Sequence, residues 1–171
     1  MNERTYSSAG TFKVRVTNER FVAGHMATFS GNCERLHGHN YEVAAEVEGD
    51  LTNDSWVVDF VALKRMLRTI IDEIDHRFML QAESRVLEIR QTADSWQIKT
   101  PAGACYVLPR VDVIPLPIDN TTAERLAEWF SSRVWQSLIH RKAGNVRCLT
   151  IEVSEGPDQK ASHRRERLPL G

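Results

Sequence analysis

Two runs of alternating apolar and polar residues, out of step with each other, constrain this chain most. Phe12, Val14 and Val16 alternate with Thr11, Lys13 and Arg15, the period-2 pattern of a half-buried strand. Phe21, Ala23 and His25 continue the alternation on the opposite parity. One face stays buried throughout only if a bulge or break falls near Thr17–Glu19. A second run, His37 to Glu48, puts Tyr41, Val43, Ala45 and Val47 on one face and Glu42, Glu46 and Glu48 on the other, and Gly49-Asp50 ends it. These two strands are expected to pair.

The remaining elements follow from periodicity. Asp59 is a candidate cap for a helix with the stripe Phe60, Leu63, Met66, Leu67, Ile70, Ile71 and Ile74. Asn120 or Thr121 starts a second helix, with Leu126, Trp129, Phe130, Val134, Leu138 and Ile139 inward. Between the helices, Val86–Ile89, Trp96–Lys99 and Tyr106–Leu108 read as short strands, with TADS and TPAGA as the turns. A last strand, Cys148–Ser154, buries Leu149, Ile151 and Val153, and a weak fourth strand of the main sheet falls near Ala161–Arg165. Strands and helices do not alternate regularly, so the expected class is α+β with an antiparallel sheet. The 171 residues are expected to form one domain, 1–171.

Composition limits the partners. A net charge of −1 supplies no field for nucleic acid or an anionic membrane, and the basic cluster His163–Arg167 reads as a short solvated tail. No apolar run approaches a membrane span, and the opening MNERTYSSAG lacks the apolar core of a signal peptide. The three cysteines, Cys33, Cys105 and Cys148, do not make a disulfide framework, which suits a reducing cytoplasm.

The segment GNCERLHGHNYEV carries the chemistry. Strand positions i and i+2 share a side, so His37 and His39 can converge on one ion. His25, at the end of the preceding strand, comes alongside if the two strands pair. Three imidazoles with an open fourth position describe a catalytic zinc site. Spacing alone is equally compatible with polar residues at a strand rim. Cys33 is open in the same way: an inert small residue, or a thiol tuned by a nearby metal.

Taken together, FVAGH, CERLHGHNYEV, WVVDFVALK, EIDHRFML, NTTAERLAEW and IEVSE resemble the 6-pyruvoyl-tetrahydropterin synthase / 6-carboxy-tetrahydropterin synthase family, in the family's order and over most of the chain outside residues 80–117. The resemblance implies a tunnelling fold: a four-stranded antiparallel sheet with two helices on one face, here with an inserted β segment at about 80–117. It also implies a homohexamer, a dimer of trimers, with active sites between subunits. By matching positions, His25, His37 and His39 would hold Zn2+, one per subunit, and Cys33 would be the catalytic thiol with Asp75 and His76 as partners. Glu155 would anchor the pterin, with Thr122 and Glu124 lining its pocket. Strand parity agrees, since Glu155 continues the face of Leu149, Ile151 and Val153 while Glu152 points away. A buried-face carboxylate suits a ligand with adjacent N–H donors.

The implied substrate is 7,8-dihydroneopterin triphosphate. The implied reaction yields 6-carboxy-tetrahydropterin, triphosphate and acetaldehyde in queuosine biosynthesis. Glu34, however, completes E-x-x-H-G-H, a pattern resembling members that cleave the side chain to 6-hydroxymethyl-dihydropterin for folate. The resemblance also allows a 6-pyruvoyl product, and the same residues would serve a non-catalytic oligomer that binds pterin or zinc. The long segment Leu80–Pro117, Gly156 in place of a threonine, and His163 at an aromatic position depart from the family pattern.

Overall fold

The computed structural model describes residues 11–167, so the opening MNERTYSSAG lies outside the described residues. In chain order the strands are β1 (Phe12–His25), β2 (Thr28–Phe29), β3 (Asn32–Cys33) and β4 (His37–Gly49). Helix α1 (Phe60–Ile74) leads into β5 (Arg77–Gln81), β6 (Glu88–Gln91), β7 (Ser95–Lys99), β8 (Cys105–Pro109) and β9 (Val113–Leu116). Helix α2 (Ala123–His140), β10 (Val146–Gly156) and β11 (Gln159–Glu166) complete the chain.

The parity switch in β1 is resolved by a bulge. Val16 pairs with Ala45 and Glu19 with Val43, so β1 spends one residue more than β4 between the two pairs. Asn18, with φ 65°, takes the left-handed conformation there. Val16 and Phe21, on opposite parities of the sequence, are both buried as a result. They share a face with Tyr41, Val43, Ala45, Val47, Leu149, Ile151 and Val153, and the Phe21 ring stacks on Tyr41 at 4.7 Å between centroids.

Both helices cover that face. The α1 stripe from Leu63 to Ile74 is buried as its period predicts, and Asp59 caps it by accepting the Ala62 N–H at 2.9 Å. Phe60 and Ile139, expected to point inward, are exposed; both sit in terminal turns, where the stripe runs out. Helix α2 is capped by Thr122, whose hydroxyl accepts the Arg125 N–H, and not by Asn120 or Thr121. Those two side chains are engaged at the site described below.

The main sheet has the order β11-β10-β4-β1-β5-β9. Its first four strands pair antiparallel. Strands β5 and β9, at either end of the insertion, extend the sheet through parallel pairings. The sequence His163–Arg167 is not a solvated tail: its first four residues end β11, where Arg164 pairs with Glu48 and Arg165 donates to the Ser132 hydroxyl. Between β5 and β9 the insertion folds as the antiparallel meander β6-β7-β8. Its first strand begins two residues later than expected, because the Ser84 hydroxyl accepts the N–H groups of Val86 and Leu87 and turns the chain there. A second apolar cluster, Met26, Phe78, Leu80, Leu87, Ile98 and Val113, fixes the meander beside the end of β1, with Cys33 packed at its margin. No helix among the described residues is long and apolar enough to cross a membrane.

Candidate metal centre

The register of β1 and β4 builds the centre directly. His25 stands opposite His37, and His39 opposite Ala23, so three imidazoles rise from one face at the end of the strand pair. Gly38 permits this approach, since a Cβ there would lie 2.8 Å from the Ala23 carbonyl oxygen. One ring nitrogen from each histidine falls within 4.8 Å of the other two.

The ring protons are set by backbone carbonyls, which can only accept. His25 Nδ1–H donates to the Thr121 carbonyl at 3.0 Å, and His37 Nδ1–H donates to the Arg35 carbonyl at 2.7 Å. In the neutral ring each Nε2 then presents a lone pair, and the two lie 3.1 Å apart. That contact is repulsive unless a cation lies beside it. His25 is 2% exposed, and burial together with the neighbouring His37 and His39 lowers its pKa to about 4, which keeps it neutral. Neutral imidazoles with a fixed Nδ1 donor are the state that ligates a metal. The donor set fits zinc, which His25, His37 and His39 would hold with a fourth position open.

A cavity of about 410 Å³ opens over the histidines and is also lined by Glu34, Thr122, Glu124 and Glu155. Glu155 continues the buried face of β10 as parity required, at an irregularity in its pairing with β11 between Ser154 and Gly156. Burial pushes its pKa up, and Glu124 and Glu34 add to this against the pull of His39 and His37. The Tyr41 hydroxyl is buried without a partner among the described residues, and burial with the charges of Glu155 and Glu34 raises its pKa.

Cys33 and Glu34 part company at this cavity. A tight hairpin, with Ser30 at φ 49° and Gly31 at φ 76°, joins β2 to β3 and fixes their register. Successive side chains then point to opposite sides. Glu34 enters the cavity, with Oε2 3.8 Å from His37 Nε2, whereas Cys33 packs against the insertion's apolar cluster and does not line it. Burial and the Glu34 charge raise the thiol pKa.

Asp75 and His76 lie elsewhere. Asp75 Oδ1 accepts the Val22 N–H at 2.9 Å and lies 3.0 Å from His76 Nδ1. Burial raises the Asp75 pKa, but Val22, His76 and Arg68 outweigh it and hold the carboxyl below its usual range. The pair borders a second cavity, about 690 Å³, with Val22, Asn40 and Glu42. Asn40 and Glu42 alternate along β4 with His39 and Tyr41, which do not line this cavity, so it lies on the opposite face of the sheet from the histidines. A single chain therefore gathers the histidines, Glu34, Thr122, Glu124 and Glu155, and leaves Asp75-His76 apart from Cys33. Lys160 and the departing residue Gly156 both border the second cavity, and Lys160 borders the first as well.

Sequence reasoning missed the support beneath His25. Thr121 is fully buried, and its N–H and hydroxyl both donate to Oε1 of buried Gln81, at 3.2 and 3.0 Å. Asn120 clamps Thr28, accepting its N–H at 2.9 Å and donating to its carbonyl at 2.8 Å. The available signal was a glutamine closing the apolar run Phe78–Leu80.

Known proteins place this geometry. A family model described as 6-pyruvoyl tetrahydropterin synthase matches residues 14–166. A putative 6-carboxy-5,6,7,8-tetrahydropterin synthase of Methanocaldococcus jannaschii is 31% identical over 149 residues, covering 85% of this chain and 90% of the relative. The 6-carboxy-5,6,7,8-tetrahydropterin synthase of Aquifex aeolicus is 28% identical over 160 residues, 89% and 91% of the two chains. Among solved structures, a 6-pyruvoyltetrahydropterin synthase of Plasmodium vivax, mutated at a catalytic glutamate, aligns with TM-score 0.87 and 29% identity over 92% of this chain and 99% of its own. A match spanning almost the whole described chain, on a fold that superimposes this closely, makes the chain a member of the 6-pyruvoyl tetrahydropterin synthase family.

Proposed function

We propose that this chain is a zinc-dependent lyase that converts 7,8-dihydroneopterin triphosphate to 6-carboxy-5,6,7,8-tetrahydropterin with release of triphosphate and acetaldehyde, the queuosine-type reaction. The observation that carries this reading is the convergence of two lone-pair-bearing Nε2 atoms, 3.1 Å apart, in a cavity that also holds Glu155. Bound zinc would supply a Lewis acid for the substrate's side-chain oxygens, which acidifies the neighbouring C–H. The names of the Methanocaldococcus and Aquifex relatives support the product.

The protein groups divide the remaining work. Glu155 accepts from adjacent N–H donors of the pterin, and the burial that raises its pKa is offset once those donors arrive. Thr122 caps α2 and, with Glu124, forms one wall of the same cavity. The Cys33 thiolate takes the side-chain proton and becomes the thiol, and His76, held by Asp75, relays the second proton. Because Asp75-His76 and the histidine cavity lie on opposite faces of one sheet, the set closes only between subunits. This supports a homo-oligomer, by family analogy a dimer of trimers, working in the cytoplasm.

A second reading draws on Glu34. It stands in the cavity where Cys33 does not, and the Plasmodium vivax relative carries a catalytic glutamate. With Glu34 as base the product would be 6-hydroxymethyl-dihydropterin. Incubating zinc-loaded protein with 7,8-dihydroneopterin triphosphate and resolving the pterins by mass decides the matter. The expected main product is 6-carboxy-tetrahydropterin with stoichiometric acetaldehyde. Exclusive formation of 6-hydroxymethyl-dihydropterin would establish the second reading, and bound but unconverted substrate would reduce the chain to a binding protein.

A further inference from the structure

We infer that Gln81 is a positioning residue for the metal centre: through Thr121 it fixes the ring of His25 in the state that ligates. The inference rests on the zinc reading above for its purpose, though not for its geometry. Gln81 ends β5 and is 1% exposed, Thr121 is fully buried, and His25 is 2% exposed, so the chain of contacts is shielded from water at every link. A buried amide left unpaired is costly, so the glutamine is held by the bonds it makes.

The amide orientation is fixed by chemistry. A backbone N–H can only donate, so the Gln81 atom 3.2 Å from Thr121 N is the oxygen. The same oxygen accepts the Thr121 hydroxyl at 3.0 Å. Gln81 Nε2 then reaches the hydroxyls of Thr28 and Ser84, each at 3.4 Å. Thr28 follows His25 by three residues, and Thr121 carries the carbonyl that takes the His25 Nδ1–H. One side chain thus touches both β2, the short strand that follows His25, and the residue whose carbonyl orients it.

The consequence is specific. Two opposed Nε2 lone pairs repel each other, and the ring of His25 could relieve this by moving its proton from Nδ1 to Nε2, which would then donate to His37. The Thr121 carbonyl resists that change while its residue is held, and Gln81 holds that residue at its hydroxyl and, together with Asn120 Oδ1 at 3.0 Å, at its N–H. The hold comes from β5, at the base of the insertion, whose last residue pairs with Leu116 of β9. The insertion's base is thereby part of the metal centre's support.

Gln81→Met keeps the volume and removes all four polar contacts. In the metal-free protein, nitrogen NMR of the histidine rings should show His25 changing from a single Nδ1–H tautomer to a mixture. Zinc binding, measured by chelator competition, should weaken about tenfold, the lower end of outer-shell effects. Gln81→Glu, which in buried protonated form offers the same acceptor and a donor, should restore both values. A folded Gln81→Met protein with an unchanged tautomer and unchanged zinc Kd would overturn the inference. If Gln81→Met does not fold, Thr121→Val, which deletes the hydroxyl's contacts with Gln81 Oε1 at 3.0 Å and with His25 Nδ1 at 3.3 Å, should shift tautomer and Kd in the same direction, and no shift would overturn it. The tautomer is read without metal or substrate, so a wild-type protein that fails to turn over dihydroneopterin triphosphate refutes the functional reading and leaves this test standing.

Discussion

His37→Ala is expected to lose zinc and turnover together while the fold persists. His37 opens β4 at an accessible position, and the core begins four residues later at Tyr41, so deleting the ring leaves no cavity in the packed layers. The centre, by contrast, drops from three imidazoles to two. Removing an outer-shell partner already costs about 10–100-fold in metal affinity, and loss of a direct ligand should exceed that range. Elemental analysis after dialysis should therefore fall from about one zinc per subunit, the count for a three-ligand site, to near none. Product formation should fall in proportion, with an unchanged circular dichroism spectrum. Retention of full zinc would show that His37 is a rim residue.

The second large effect separates Cys33 from Glu34. Loss of a positioned proton-transfer group costs about 10²–10⁴-fold in rate. Cys33→Ala should lower 6-carboxy-tetrahydropterin formation by that order with zinc content unchanged, and Glu34→Ala should leave that product in place. The physical obstacle is plain. In one chain the thiol sits against the insertion's apolar cluster with its pKa raised by burial and by Glu34, whereas the Glu34 carboxylate already faces the histidines. A neighbouring subunit's Asp75-His76 pair, an imidazole held by a carboxylate, is the group that would draw the thiol's proton. If Cys33→Ala keeps its rate and Glu34→Ala loses it, the carboxylate is the base.

Much of this could be read before any coordinates. Alternation alone located β1 and β4, and the parity conflict between Val16 and Phe21 demanded the bulge that Asn18 provides. Those two facts brought His25 alongside the His37–His39 pair, and the register of the folded strands sets it opposite His37. The same rule separated Glu155 from Glu152. Other features have no local signature. The pairings of β5 with β1 and β9 are parallel, join segments far apart in sequence, and rest on runs of two to four residues. Gln81 is one polar residue after an apolar run, and its meaning lies in Thr121, forty positions away. Asn120 and Thr121 carried cap chemistry, and only the fold diverts them to Thr28, His25 and Gln81. The separation of Asp75-His76 from Cys33 follows from which face each occupies, which a motif cannot express.

X-ray absorption at the zinc edge of the loaded protein tests the central claim most directly. Three histidines with an oxygen ligand in the open position predict a first shell of light atoms only, at about 2.0–2.1 Å. The imidazole rings should add their own outer-shell scattering. A sulfur scatterer at about 2.3 Å would place Cys33 on the metal, and a shell without imidazole scattering would remove the histidines from it. Either result would contradict the centre described here.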